Sequence, residues 1–251
     1  MSKKSIERKK LGKRWRRLVD KYDSSEGAQI IRGLQHLTTS HHIVKGNYQD
    51  LKRLITTVES DIMIMADKNR KQFDVALKEI TRMLHNYLAS VHSLIDHSRR
   101  YRRKLNNDTL NQNNEREINK LTRNKCVIFV KKFRNYIQHY SLPIIAGHVH
   151  LWRKDVDEPD FEEDFKILLN KEELLKWDGW NKISKDFIEN HEELVLRTIF
   201  DEYERMNNIY YEWFYNEVIK THKDKIEELR KLENEIDNVN KKIEKLKKNP
   251  D

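Results

Sequence analysis

The sequence predicts a mainly α protein: a helical bundle with a small β-hairpin inserted in it and a coiled-coil helix at its C-terminal end. Three observations carry this expectation. Only 3 Pro and 6 Gly interrupt 251 residues, so few positions force a helix to stop. Charged residues (36%) and apolar residues (37%) are nearly balanced, the composition of long helices that each bury one stripe. Residues 223–249 carry a heptad, with Leu229, Ile236 and Ile243 at one core position and Leu232, Val239 and Leu246 at the other.

From the N-terminus, Leu11, Trp15, Leu18, Val19 and Tyr22 recur at helical spacing among Lys and Arg, which predicts a basic amphipathic arm over 1–22. That arm holds ten basic side chains against Glu7 and Asp20, so it carries eight of the nine net positive charges of the chain. Asp23-Ser24-Ser25-Glu26-Gly27 breaks it. Helices are expected at 28–44 and 47–66, parted near Gly46-Asn47, followed by one long helix over 69–104. The Asn-rich stretch 105–114 reads as a loop, and 115–140 as a helix stopped before Pro143. Residues 147–153 and 164–170 read as two short strands around the acidic turn Asp155–Asp160. A short helix over 171–189 and an aromatic-rich one over 191–222 complete a body of residues 23–222, and 223–251 form the tail. The tail heptads fit either a parallel two-stranded coiled coil or an antiparallel pairing with one of the chain's own helices.

Inside the long helix, residues 83–98 contain Asp96 and no Lys, Arg or Glu. Leu84, Tyr87, Leu88, Val91 and Ile95 share one face at 100° per residue. His85, Asn86, Ser93, Asp96 and His97 share the other. The missing charge predicts a helix covered on both sides, whose polar stripe meets partners in the bundle, at a site or on a second subunit. The helix ends in Arg99, Arg100, Tyr101, Arg102, Arg103 and Lys104. Basic side chains interleaved with an aromatic suit phosphate and base contacts, and they equally suit the negative end of a helix dipole.

Several function classes are excluded. One cysteine, Cys126, leaves no intramolecular disulfide and no Cys-rich zinc site, and its apolar surroundings predict a core thiol. No Walker loop, dinucleotide fingerprint or nucleophile elbow is present, which speaks against phosphoryl transfer from ATP and hydride transfer. His41-His42 and His148-x-His150 have no carboxylate or thiol at ligand spacing, so no metal and no cofactor is expected. No apolar run is long enough for a membrane span or fit for a signal peptide, which predicts a cytoplasmic protein.

One constellation has chemical content. Phe133-Arg134-Asn135-Tyr136-Ile137-Gln138-His139-Tyr140-Ser141-Leu142-Pro143 contains Arg134-Asn135-x-x-x-His139 at the end of a helix. Metal-free RNA cleavage needs a base for the 2′-hydroxyl and a cation for the charged phosphorane. His139 and Arg134 have those chemistries, and Asn135 can orient either group. With its helical context, this element resembles the R-[N/D/H]-x-x-x-H core of the HEPN superfamily (higher eukaryotes and prokaryotes nucleotide-binding domains). The longer stretches Leu84–Arg99 and Arg134–Pro143 also resemble a group of uncharacterised bacterial proteins. The HEPN resemblance implies a helical bundle, a metal-independent endoribonuclease in a defence or toxin-like system, and a composite site of Arg134, Asn135 and His139 across a homodimer. RNA would then be held by Arg14, Arg16 and Arg17 of the arm and by Arg99, Arg100, Arg102, Arg103 and Lys104. Two other readings stay open: a non-catalytic helical scaffold that binds a protein partner through its coiled-coil tail, and a peripheral membrane protein held by the basic arm.

Overall fold

A computed structural model describes residues 3–152 and 162–248. The acidic turn Asp155–Asp160 lies outside the described residues. The chain runs as α1 (Lys3–Ser24), α2 (Glu26–Glu59), two 3₁₀ turns (Ile62–Met65 and Asp67–Asn69), α3 (Arg70–Leu105), α4 (Asp108–Leu121) and α5 (Lys125–His139). It continues as β1 (Ile145–Trp152), β2 (Glu162–Leu169), α6 (Lys171–Leu175), α7 (Lys182–Asn190), α8 (Leu196–Thr221) and α9 (Lys223–Lys248). The fold is mainly α with one antiparallel hairpin, as the sequence predicts.

Its frame is a pair of antiparallel rods. Tyr48 hydrogen-bonds Asp201, His41 meets Asn208 at 2.7 Å, and the Tyr211 hydroxyl donates to Thr38 at 3.0 Å. Farther out, Lys225 pairs with Glu26 at 3.3 Å and the Tyr22 hydroxyl donates to Glu233 at 3.0 Å. As the first number falls the second rises, so α8 and α9 run back along α2 and α1. The rods break at matching places, Ser25 and His222. Ser25 caps α2 by accepting from the Ala28 amide at 3.1 Å. Near this level α2 and α9 approach so closely that a Cβ on Gly27 would lie 2.4 Å from the Lys225 carbonyl oxygen.

Along the α2/α8 half a third layer is added. α3 packs antiparallel against α2, with Ile80, Leu84, Tyr87, Leu88, Val91 and Leu94 buried. From α5 come Phe129, Val130, Phe133 and Tyr136, and from α8 Phe200, Tyr203, Tyr211 and Phe214. Most of the aromatic stripe of α8 is core packing, as expected, while Tyr215 is exposed. Cys126 is a buried thiol whose Sγ lies 3.3 Å from the Ile199 carbonyl, and burial pushes its pKa up to about 12.

Among the described residues, the α1/α9 half has no third layer. Leu11, Trp15, Leu18, Val19 and Tyr22 are half-buried, and no residue of α1 is fully buried. On α9, Leu229, Leu232 and Val239 are buried and Ile236, Ile243 and Leu246 half-buried. The tail heptads therefore pair in cis, antiparallel, with the basic arm.

Several expected boundaries move. The helices at 28–44 and 47–66 are one, because Val44 and Leu51, both fully buried, hold α2 through Gly46. The Asn-rich loop is mostly α4: Asn106 adopts φ 46 to end α3, and Asn107 caps α4 by accepting from the Leu110 amide at 2.9 Å. The helix expected at 115–140 is cut at Thr122–Asn124, where Asn124 caps α5. The helix expected at 171–189 is likewise two, with Asn170 and Asn181 as caps.

Candidate functional site

The nucleic-acid residues expected from the sequence fall into three places. Arg14, Arg16 and Arg17 are exposed on α1, Arg14 within 4.0 Å of Glu235. Arg100, Arg103 and Lys104 are exposed at the end of α3. That end sits beside the start of α2, because the Tyr101 ring covers Gly33 and its hydroxyl donates to the Ile30 carbonyl at 2.7 Å. It thus lies at the end of the body from which the α1/α9 pair departs. Arg99 and Arg102 turn instead into a groove between α3, α4, α5 and α8.

That groove is the site the structure assembles. It consists of two adjoining hollows of about 180 and 110 Å³ that share Ile95, Arg99, Lys131 and Tyr203. Arg102, Val127, Met206 and Tyr210 line the first; His92, Arg134 and Asn135 line the second. Helix periodicity places these groups: His92, Ile95 and Arg99 recur on one face of α3, and Lys131, Arg134 and Asn135 on one face of α5. Among the described residues, none of β1 or β2 lines either hollow.

Four cations therefore rim an apolar floor. Arg99 is tethered to Asp96 at 3.3 Å and Arg102 donates to Asn111 at 2.8 Å. Tyr210 donates to the buried Asn114 side chain at 2.7 Å. Burial pushes the Tyr210 phenol up to about 12, against the pull of Arg102 and Arg99 beside it. Arg134 donates to Asn135 Oδ1 at 3.3 Å, while its Nε is buried with no hydrogen-bond partner.

His139 does not line the groove. It is the last residue of α5, exposed, one turn beyond Asn135 on the same side. The imidazole that lines the groove beside Arg134 is His92, held by Asp96 at 3.3 Å. His92 and Lys131 are groove residues that the motif did not single out, although the same helical spacing marks both.

The polar stripe of α3 is a correction. His85, Asn86, Ser93 and His97 are exposed and Asp96 half-buried, so the charge-poor helix is covered on one side only. Ser93 bonds back to the Ala89 carbonyl at 3.1 Å, and His97 Nδ1 meets Ser40 at 2.8 Å. The buried polar layer lies elsewhere. Tyr87 donates to Glu204 at 2.9 Å, Asn208 donates to Glu204 at 3.1 Å, and His41 meets Asn208 while stacking on Tyr211 at 3.8 Å. Burial raises the Glu204 pKa and lowers that of His41.

The expectation of no carboxylate near His148-x-His150 is also corrected. Glu193, 45 residues beyond His148 in sequence, meets both imidazoles.

Among the described residues, no helix is long and apolar enough to cross a membrane. The chain matches no protein-family model, no curated protein and no solved structure.

Proposed function

We propose that the protein binds RNA, gripping phosphate in the groove between α3, α5 and α8 and along the basic end of the α1/α9 pair, and that it cleaves RNA without a metal as a homodimer. The observation that carries this reading is Arg134. A buried guanidinium N–H without an acceptor costs about 1–3 kcal/mol. A phosphate oxygen is the acceptor that Arg forks fit best, and Arg99, Arg102 and Lys131 around it add to the preference for an anion. Tyr203, Tyr210 and Ile95 offer an apolar floor to a sugar or base.

Cleavage rests on the motif and on the HEPN resemblance. Arg134 would stabilise the phosphorane, Asn135 would orient it, and His139 would take the 2′-hydroxyl proton. Because His139 is exposed beyond the groove, its imidazole needs a second copy to close the site. The exposed, charge-poor face of α3 supports a second copy on that side. A defence or toxin-like role follows from the resemblance alone. The scaffold reading called on the coiled-coil tail and the aromatic helix, and the tail's apolar seam packs against α1 within the chain.

Fluorescence anisotropy with labelled single-stranded RNA in EDTA tests the binding. Affinity should fall steeply with salt, and Arg134→Ala or Arg99→Ala should each weaken it about tenfold. Salt-insensitive or absent binding would end the RNA reading. End-labelled RNA tests the chemistry: cleavage in EDTA should vanish in both Arg134→Ala and His139→Ala. Cleavage that survives both removes the catalytic assignment and leaves the binding one.

A further inference from the structure

The structure brings together a second set of groups, away from the groove. His148 and His150 stand two residues apart on β1, so both point to one face of the hairpin. Glu193, in the segment between α7 and α8, reaches the same place. Its Oε1 lies 2.5 Å from His148 Nδ1 and 2.9 Å from His150 Nε2. The two rings are 4.4 Å apart, centroid to centroid. The three ligating atoms all lie within 4.8 Å of one another.

We propose that His148 Nδ1, His150 Nε2 and Glu193 Oε1 form a binding site for one divalent transition-metal ion of the zinc class, with water completing the coordination. Two imidazoles and one carboxylate are the donor set that zinc takes at sites keeping an open position. Small side-chain rotations bring the donors to the separation of about 3.4 Å that bonds of about 2.1 Å require in a tetrahedron. Glu193 is mostly shielded while the His148 side chain is half exposed, so the ion would sit at the rim with one side open to water.

The neighbours matter to the charge balance. The cross-strand partners of His148 and His150 are Lys166 and Asp164, which share their face of the hairpin. Lys166 is a like charge to any metal. It is held by Asp164 at 2.7 Å, which neutralises it locally, although the Glu193 carboxylate is also near enough to attract it. The net surroundings of the three donors are thus near neutral, and the Glu193 carboxylate supplies the charge that binds the ion.

The position gives the ion a structural consequence. Val195, two residues after Glu193, bridges Leu168 of β2, and the Leu169 amide donates to the Leu194 carbonyl at 3.0 Å. The segment before α8 is therefore already stitched to β2. A metal held by Glu193 and both histidines would stitch it to β1 as well, fixing the hairpin to the bundle.

The test uses full-length protein with any affinity tag removed, stripped with EDTA and exchanged into metal-free buffer. Zinc binding is measured by titration calorimetry, and cobalt(II) serves as a spectroscopic probe of coordination. One ion per chain is expected, with a visible cobalt band of four- or five-coordinate intensity. Glu193→Gln and His150→Ala should each weaken binding by about tenfold or more, and His148→Ala/His150→Ala should remove it. His42→Ala, an exposed histidine elsewhere, should leave it unchanged. Circular dichroism of the metal-free variants checks that they fold, as substitutions at this half-exposed cluster should allow. Absence of zinc binding, or binding that survives the double histidine variant or is indifferent to Glu193→Gln, would overturn the site and leave a hydrogen-bonded cluster only.

Discussion

The two halves of the paired rods differ in what their side chains are for. Along α2 and α8 the pair is covered by α3 and α5, and whole rows of side chains are buried, including Leu34, Val44, Leu51, Phe200 and Phe214. Along α1 and α9 the same two rods continue bare, joined by a single seam, and α1 buries nothing fully. Charge divides the halves just as sharply. Residues 3–17 and 238–248, which lie side by side, hold fourteen Lys and Arg against Glu7 and Glu244. Cations at the start of α1 oppose the helix dipole, so helix stability does not call for them. The body half is built by burial. The outer half is built thinly and displays positive charge.

Substitutions should separate the halves. The largest effect is expected in the body: Phe133→Ala removes a fully buried ring stacked near Phe129 and Tyr136, and should cost about 3–5 kcal/mol in denaturant unfolding. An unfolding midpoint that barely moves would mean that the aromatic layer is not the main support. Leu229→Ala, on the seam beside Gly27, should cost about 2–3 kcal/mol, felt locally. Hydrogen exchange should quicken over 3–24 and 223–248 while α3 and α5 keep their protection. If exchange rises evenly through the chain, the arm and the body are one cooperative unit.

Much of this contrast was legible in the residues. The spacing of Leu11, Trp15, Leu18, Val19 and Tyr22 marks the inner face of α1, and the heptads mark that of α9. That the two faces meet each other is a long-range fact, and local periodicity left cis and trans pairing open. Three of the misplaced boundaries share one cause, the capping of helices by asparagine; the one expected at Gly46 is lost instead to the burial of Val44 and Leu51. Asn107, Asn124, Asn170 and Asn181 each accept a backbone amide three residues on, so Asn-containing stretches that read as loop or uninterrupted helix are helix starts. In the groove, Arg99, Arg102, Arg134 and Asn135 were named from two separate patterns, and folding brings them to one place. His92 and Lys131 carried the same helical spacing but no motif. Glu193 could not be matched to His148 from sequence, because nothing local links residues so far apart.

The smallest effect is expected from titration of two buried groups in the body. Glu204 is almost fully buried, and burial raises its folded pKa although Tyr87 and Asn208 hydrogen-bond its carboxylate. A carboxyl with a raised folded pKa contributes most below its unfolded pKa, and that contribution is lost as pH rises through the folded value. His41, also buried, has its folded pKa lowered, so its contribution is present above the unfolded value and lost as pH falls. Glu204→Gln keeps the shape and much of the hydrogen bonding but cannot ionise. Relative to the parent, it should therefore gain stability between pH 5 and pH 8, on the order of 1 kcal/mol. The gain is measured as the difference in unfolding midpoints at the two pH values. No change with pH would mean that Tyr87 and Asn208 fully offset the burial of the Glu204 charge.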